Sequence, residues 1–139
     1  MEKILVTGGC GFIGSHVVDL LIDNGYNVTV VDNLDTGKLS NLQHLNPYEN
    51  PRLRVFKTEF DSHNVLSNVK DGKYDFVLHL AAKASVPYSV DNPALSNNIN
   101  VTKTLTLLEA CRVGKIKKFV FSSSSSVYGD SGILPTKES

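Results

Sequence analysis

Cysteine is scarce in this sequence. Cys10 and Cys111 are the only two in 139 residues. They lack the spacing of a metal-binding or redox pair, so two reduced thiols in a cytoplasmic protein are expected. Histidine is equally thin. His16, His44, His63 and His79 are scattered, and none stands at ligand spacing from a cysteine or another histidine, so no metal is assigned. An excess of charge of one sign is also missing. Fourteen Lys and Arg balance fourteen Asp and Glu. A net charge of zero gives no long-range pull toward nucleic acid or an anionic membrane, and neither is expected as a partner. Lys115, Lys117 and Lys118 form one basic knot, read as the solvated entry to a strand. No apolar run approaches the ~20 residues of a membrane-spanning helix. The opening MEKILVTGG is too short in its apolar run, and too rich in glycine, for a signal peptide.

What is present is a regular alternation. Ile4-Leu5-Val6, Val28 to Val31, Leu53 to Phe56, Phe76 to Leu80 and Phe119 to Phe121 are short apolar runs, read as strands. They do not alternate with polar residues, as befits parallel strands covered on both faces. Helices are expected between them. The first should turn Ile13, Val17, Leu20 and Leu21 inward and end at Gly25. A short helix before Pro47 and a weak one around Val65 to Val69 follow. Asn92-Pro93 should cap and start a long helix to Arg112 that carries Ile99, Leu105 and Leu108 inward. The fold class predicted is α/β, a doubly wound Rossmann-type parallel sheet with helices on both faces, in one domain over residues 1–139.

The stretch Thr7-Gly8-Gly9-Cys10-Gly11-Phe12-Ile13-Gly14 fits two glycine spacings. Gly9, Gly11 and Gly14 satisfy G-x-G-x-x-G. Gly8, Gly11 and Gly14 satisfy G-x-x-G-x-x-G. In either form the glycines permit a tight turn, a close approach to a pyrophosphate, and packing of helix on strand. Free N–H groups at the helix start favour the phosphate charge. A glycine turn alone is weak evidence. Here it follows a strand, opens a helix and is joined by Asp32 at the end of the next strand, placed to hold ribose hydroxyls. The context predicts dinucleotide binding. The carboxylate would repel a 2′-phosphate, which favours NAD over NADP, and Lys38 lies downstream of the ribose position.

These residues, with Asp75 to Ala82 and Ser122 to Gly129, resemble the extended short-chain dehydrogenase/reductase superfamily. More narrowly, the chain is similar to the N-terminal part of the NAD-dependent nucleotide-sugar epimerases. The resemblance implies a site. Gly8, Gly11, Phe12, Ile13 and Gly14 would serve the pyrophosphate, and Asp32, Asn33 and Leu34 the adenosine ribose side. Glu59 and Phe60 would lie beside the adenine. Leu80, Ala81 and Ala82 would line the way to the nicotinamide, with Asn98 under the cofactor and Ser122 offering a backbone contact. Three positions depart from the family pattern: Glu59 is one methylene longer than the usual Asp, Thr58 replaces a common glycine, and Val101 replaces a frequent helix glycine. His79 is expected as a hydrogen-bonded core residue. Lys83 stands one position from a family lysine that contacts the cofactor, and is either that contact or a surface residue. Ser85 either touches the sugar nucleotide or begins a helix.

The resemblance also implies the chemistry. A tyrosine in Tyr-x-x-x-Lys takes the proton of a sugar hydroxyl, and a serine four before the landmark tyrosine, here Ser124, shares that hydrogen bond and touches substrate. Lysine and a cationic nicotinamide lower the tyrosine pKa from about 10. Tyr26, Tyr48, Tyr74, Tyr88 and Tyr128 are followed four residues on by Val30, Arg52, Leu78, Asn92 and Gly132, so none fits. Pro135 and Glu138 resemble the segment preceding the family's tyrosine. The expectation is therefore an NAD-binding portion without turnover alone, from an epimerase acting on a UDP-sugar, with the long helix as the candidate surface for a homodimer by analogy with the family. Ser125 and Ser126 stand where dehydratases and decarboxylases carry an acid, which favours epimerisation. A stand-alone NAD-binding module and a dehydratase or reductase are the rival readings.

Overall fold

The computed structural model describes residues 1–130, 132 and 135–137, so Glu138 lies outside the described residues. Five parallel strands form one sheet: β1 (Lys3–Thr7), β2 (Asn27–Asp32), β3 (Leu53–Lys57), β4 (Phe76–His79) and β5 (Lys118–Phe121). Their order is β3-β2-β1-β4-β5. The order reverses between β1 and β4, and doubly wound sheets bind ligands at such a switch point, outside the carboxyl ends of the strands.

Both faces of the sheet are covered. On one, Ile4, Val6, Val28 and Val30 pack with Val18 and Ile22 of α1 (Phe12–Asp23) and with Leu42 of a 3₁₀ turn (Leu39–Leu45). On the other, Leu5, Val31 and Val77 pack with Val65 and Val69 of α2 (His63–Lys70) and with Leu107, Ala110 and Cys111 of α5 (Lys103–Val113). Two short helices, α3 (Val86–Asp91) and α4 (Pro93–Asn97), and one π-helical turn (Asn98–Thr102) lead into α5.

Two helices present different faces from those expected. In α1 the buried residues are Gly14, Ser15, Val18 and Ile22, while Ile13 and Leu20 are exposed. A Cβ on Gly14 would lie 2.1 Å from the Gly8 carbonyl oxygen, so the smallest residue must face the loop, and Val18 and Ile22 follow it at intervals of four. In α5, Thr104, Leu107, Ala110 and Cys111 are buried, and Leu105 and Leu108 face out. Small side chains let α5 approach the sheet and α2, and a Cβ on Gly114 just past its end would lie 1.9 Å from the Val69 carbonyl oxygen. Pro93 does open α4, but the Asn92 side chain makes no cap bond there and donates back to the Tyr88 carbonyl.

Candidate functional site

The loop from Gly8 to Gly11 is built by its glycines. Gly8 has φ +72°, and a Cβ there would meet the Ala81 backbone nitrogen at 2.7 Å. A Cβ on Gly9 would meet the Val30 side chain at 2.7 Å. The Gly11 N–H donates to the Gly8 carbonyl, and Gly11 then caps α1 without a side chain of its own. No acid stands in the first turn of α1, so its unpaired N–H groups face outward with their partial positive charge.

Asp32 sits at the end of β2 and is 9% exposed. One carboxylate oxygen accepts from the Cys10 N–H at 2.9 Å, and the other accepts from the Leu34 N–H at 2.8 Å. The second bond holds Leu34 at φ 61°, a left-handed conformation that a leucine adopts only when its surroundings impose it. Burial, reinforced by the Asp32 charge, pushes the Cys10 thiol up to about 11, so it remains a protonated and unreactive core group. Cys111 is likewise pushed up to about 11 by burial.

Around this turn lies a cleft of about 320 Å³. Of the residues singled out in the sequence, Gly8, Gly11, Asp32, Asn33, Glu59, Phe60, Leu80, Ala81, Ala82 and Asn98 line it. Phe12 and Ile13 stand at the entrance of α1 but do not line the cleft, and their side chains are exposed. Gly14 packs beneath the turn, and Leu34 packs toward the core. Ser122 and Ser124 follow β5 and do not line the cleft either. The Ser122 N–H donates to the His79 carbonyl, and the Ser124 hydroxyl caps the 3₁₀ turn Ser125–Tyr128 by accepting from the Ser126 N–H. Ser85 begins α3, with its hydroxyl accepting from the Tyr88 N–H at 3.3 Å.

The longer Glu59 has a use in this fold. Its carboxylate accepts from the Asn33 side chain at 2.9 Å and pairs with Lys103 at 3.1 Å. The Asn33 bond, with help from Lys103, holds its carboxyl below the usual range. Burial works against the Lys103 charge, but hydrogen bonds to Glu59 and Asp61 outweigh it and raise that lysine's pKa.

Sequence reasoning missed Asp35, Thr36, Gly37 and Lys103 as lining residues. It left Lys83 undecided. Lys83 lines the cleft, forms an ion pair with Asp35 and lies over the Tyr88 ring at 4.7 Å. That pair joins the loop after β2 to the loop after β4. Asn100 fixes the second loop, because its side-chain amide accepts from the Lys83 N–H and donates to the Lys83 carbonyl. The repeated asparagines at 98 and 100 were the available signal, since one lines the cleft and the other pins its wall.

Beneath the cleft, Thr7, His79 and Thr104 form a buried chain. Thr7 Oγ1 and His79 Nδ1 are 2.6 Å apart, and His79 Nε2 lies 2.9 Å from Thr104 Oγ1. The Ala81 N–H also donates to Thr7 Oγ1 at 3.3 Å. Burial lowers the His79 pKa to about 4, so the ring is neutral. Both hydroxyls can donate or accept, so the neutral ring has a partner at each nitrogen. The expected core histidine is thus one that ties β1, β4 and α5 together under the cleft wall.

Comparison with known proteins agrees with this architecture. The family model described as GDP-mannose 4,6 dehydratase matches residues 5–139. A putative UDP-glucose 4-epimerase from Methanocaldococcus jannaschii is 40% identical over 136 residues, 97% of this chain and 42% of that protein. The structure of a UDP-N-acetylglucosamine 4-epimerase from Methanobrevibacter ruminantium M1, in complex with UDP-N-acetylmuramic acid, is 46% identical and superposes with a TM-score of 0.86 over 99% of this chain and 43% of its own. A UDP-glucose 4-epimerase from Brucella ovis in complex with NAD is 35% identical, with a TM-score of 0.81 over 99% of this chain and 40% of its own. The chain therefore spans about two fifths of the length of these relatives. With the family model covering nearly all of its length, the chain belongs to the GDP-mannose 4,6 dehydratase family, and it is similar in sequence and fold to nucleotide-sugar epimerases.

Proposed function

We propose that residues 1–139 are the dinucleotide-binding domain of an NAD-dependent nucleotide-sugar 4-epimerase acting on a UDP-sugar. The observation that carries this reading is the cleft at the β1–β4 switch point, with the glycine turn and Asp32 both in its lining. When bound, NAD+ supplies reversible acceptance of a hydride from a sugar carbon. The chain's own residues bind and orient. The turn and the first N–H groups of α1, at Phe12 and Ile13, face the pyrophosphate. Each Asp32 oxygen accepts one backbone N–H and keeps acceptor capacity for a ribose hydroxyl. Leu34 is fixed by the same carboxylate. Asn33, Glu59 and Phe60 bound the adenine end, and Leu80 to Ala82 with Asn98 bound the nicotinamide end.

The serines after β5 complete the reading. Ser122 offers a backbone contact on the nicotinamide side. Ser124 would exchange its bond to Ser126 for one to the reacting hydroxyl. Ser85, whose helix cap is long at 3.3 Å, would approach the sugar nucleotide. No Tyr-x-x-x-Lys occurs in the chain, so these residues hold cofactor without supplying the base. Ser125 and Ser126, in place of an acid, favour epimerisation over the dehydration in the family model's description.

Leu105 and Leu108 of α5, with Val101 of the π-helical turn before it, leave this helical path apolar on its outer side, which supports a homodimer through it. Among the described residues no helix is long and apolar enough to cross a membrane. With two buried thiols unpaired, a cytoplasmic setting fits best.

The test is calorimetry of the chain with NAD+ and NADP+, expecting at least tenfold preference for NAD+. Preference for NADP+ would overturn the reading. A protein extended by a Tyr-x-x-x-Lys segment and a substrate domain, given UDP-glucose, UDP-N-acetylglucosamine and a dTDP-sugar, should invert C4. A 4-keto-6-deoxy product would make it a dehydratase.

A further inference from the structure

The opposite end of the sheet holds a second cavity, of about 350 Å³. It opens at the amino ends of β1, β2 and β3, and Lys3, Arg52, Arg54 and Lys73 line it together with Phe56 and Tyr74. Among the described residues, no aspartate or glutamate is in its lining. Among the described residues, none of these four cations takes part in an ion pair. Lys73 is oriented by the Asn68 side-chain oxygen at 2.7 Å. The neighbouring carboxylate, Asp75, is already engaged by Lys117 at 2.9 Å and by the Lys3 backbone N–H at 2.8 Å. The Tyr74 hydroxyl is bonded to Thr29, and burial raises its pKa, so it stays protonated.

In a chain of zero net charge, four cationic residues thus line one cavity with no carboxylate among its described lining residues. Like charges so placed repel, and a multivalent anion relieves the repulsion at each of them. Two arginine forks match phosphate oxygens pairwise, and lysines add point charge. Phe56, 47% exposed, adds an aromatic side chain to the same lining. We propose that this cavity binds a diphosphate group, either free or carried by a nucleotide. It shares no lining residue with the switch-point cleft, so the two can be filled together.

The experiment is NMR titration of the ¹⁵N-labelled chain with inorganic pyrophosphate in one arm and UDP in the other. Saturable shifts of the Arg52, Arg54, Lys73 and Tyr74 amides are expected, with affinity falling as salt rises. The double variant Arg52→Gln/Arg54→Gln should bind at least tenfold more weakly, and the exposed Lys73→Gln several-fold more weakly, each with an otherwise wild-type spectrum. UDP binding more tightly than pyrophosphate identifies the nucleotide as the carrier; equal affinities identify the diphosphate alone as what is recognised. Shifts confined to the Gly8–Gly11 turn, or a Lys73→Gln variant and a folded double variant that both bind like wild type, would overturn the proposal. Neither arm depends on NAD+ binding, so it fails or stands apart from the reading of the cleft.

Discussion

Thr7 and His79 face each other across β1 and β4 and share a 2.6 Å hydrogen bond, and burial keeps the histidine ring neutral. Its folded pKa of about 4 lies below its ordinary 6.5. In that window the unfolded chain binds the proton and the folded chain does not. The contribution is therefore complete above pH 6.5 and is lost as pH falls toward 4, amounting to about 3 kcal/mol. Urea denaturation across this range should show that excess loss in the wild type. His79→Gln should be less stable at pH 7 and lack the His79 share of the slope.

On the proposed reading Asp32 has two jobs, one in the fold and one toward the cofactor. Asp32→Ala would leave the Cys10 and Leu34 N–H groups without partners. A loss of about 1–3 kcal/mol in stability is expected from each orphaned donor that water does not reach. NAD+ binding should weaken by about 1–3 kcal/mol as well. Thermal melting measured alongside calorimetry separates the two effects.

The Lys83–Asp35 pair joins two loops that both line the cleft. Lys83→Met should speed NAD+ release several-fold in stopped-flow displacement and leave the melting temperature nearly unchanged, because an exposed pair contributes little to folding. Raising salt should bring the wild-type rate toward that of the variant. A salt-independent wild-type rate would remove the pair from cofactor retention.

The two faces of α5 should respond differently. Leu107→Ala, at a fully buried position, should cost about 2–5 kcal/mol in urea denaturation. Leu105→Ala, at a position 64% exposed, should leave monomer stability within about 0.5 kcal/mol. If α5 mediates a dimer, Leu105→Ala should also weaken self-association in sedimentation.

The strands were legible because each is a short apolar run ending at turn residues, and the cleft because Gly8, Gly11 and Asp32 occur at spacings with a physical purpose. Helix orientation was not legible. In α1 and α5 large apolar residues occur on more than one side, so counting them does not select the inner face. Gly14, Thr104 and Ala110 select it, since the closest approaches are made by what is small. Lys83, Asn100 and Lys103 were hidden for another reason. Their partners lie 17 to 48 residues away in the chain, a distance that local pattern does not span.

The π-helical turn at Asn98–Thr102 separates two jobs along one continuous helical path. Upstream of its midpoint, Asn98 and Ile99 belong to the cleft; downstream, Lys103 at the start of α5 still lines it, and from Thr104 on the helix serves the core and the outer surface. A wide turn absorbs one residue more than an α-helical turn. A single-residue deletion there would therefore convert the wide turn to an α-helical one and leave Leu107 as the buried leucine of α5. Substitutions upstream of the turn can likewise change the cleft lining without moving the buried face of α5. The turn gives this helix a point at which inherited variation in binding and in packing can accumulate separately.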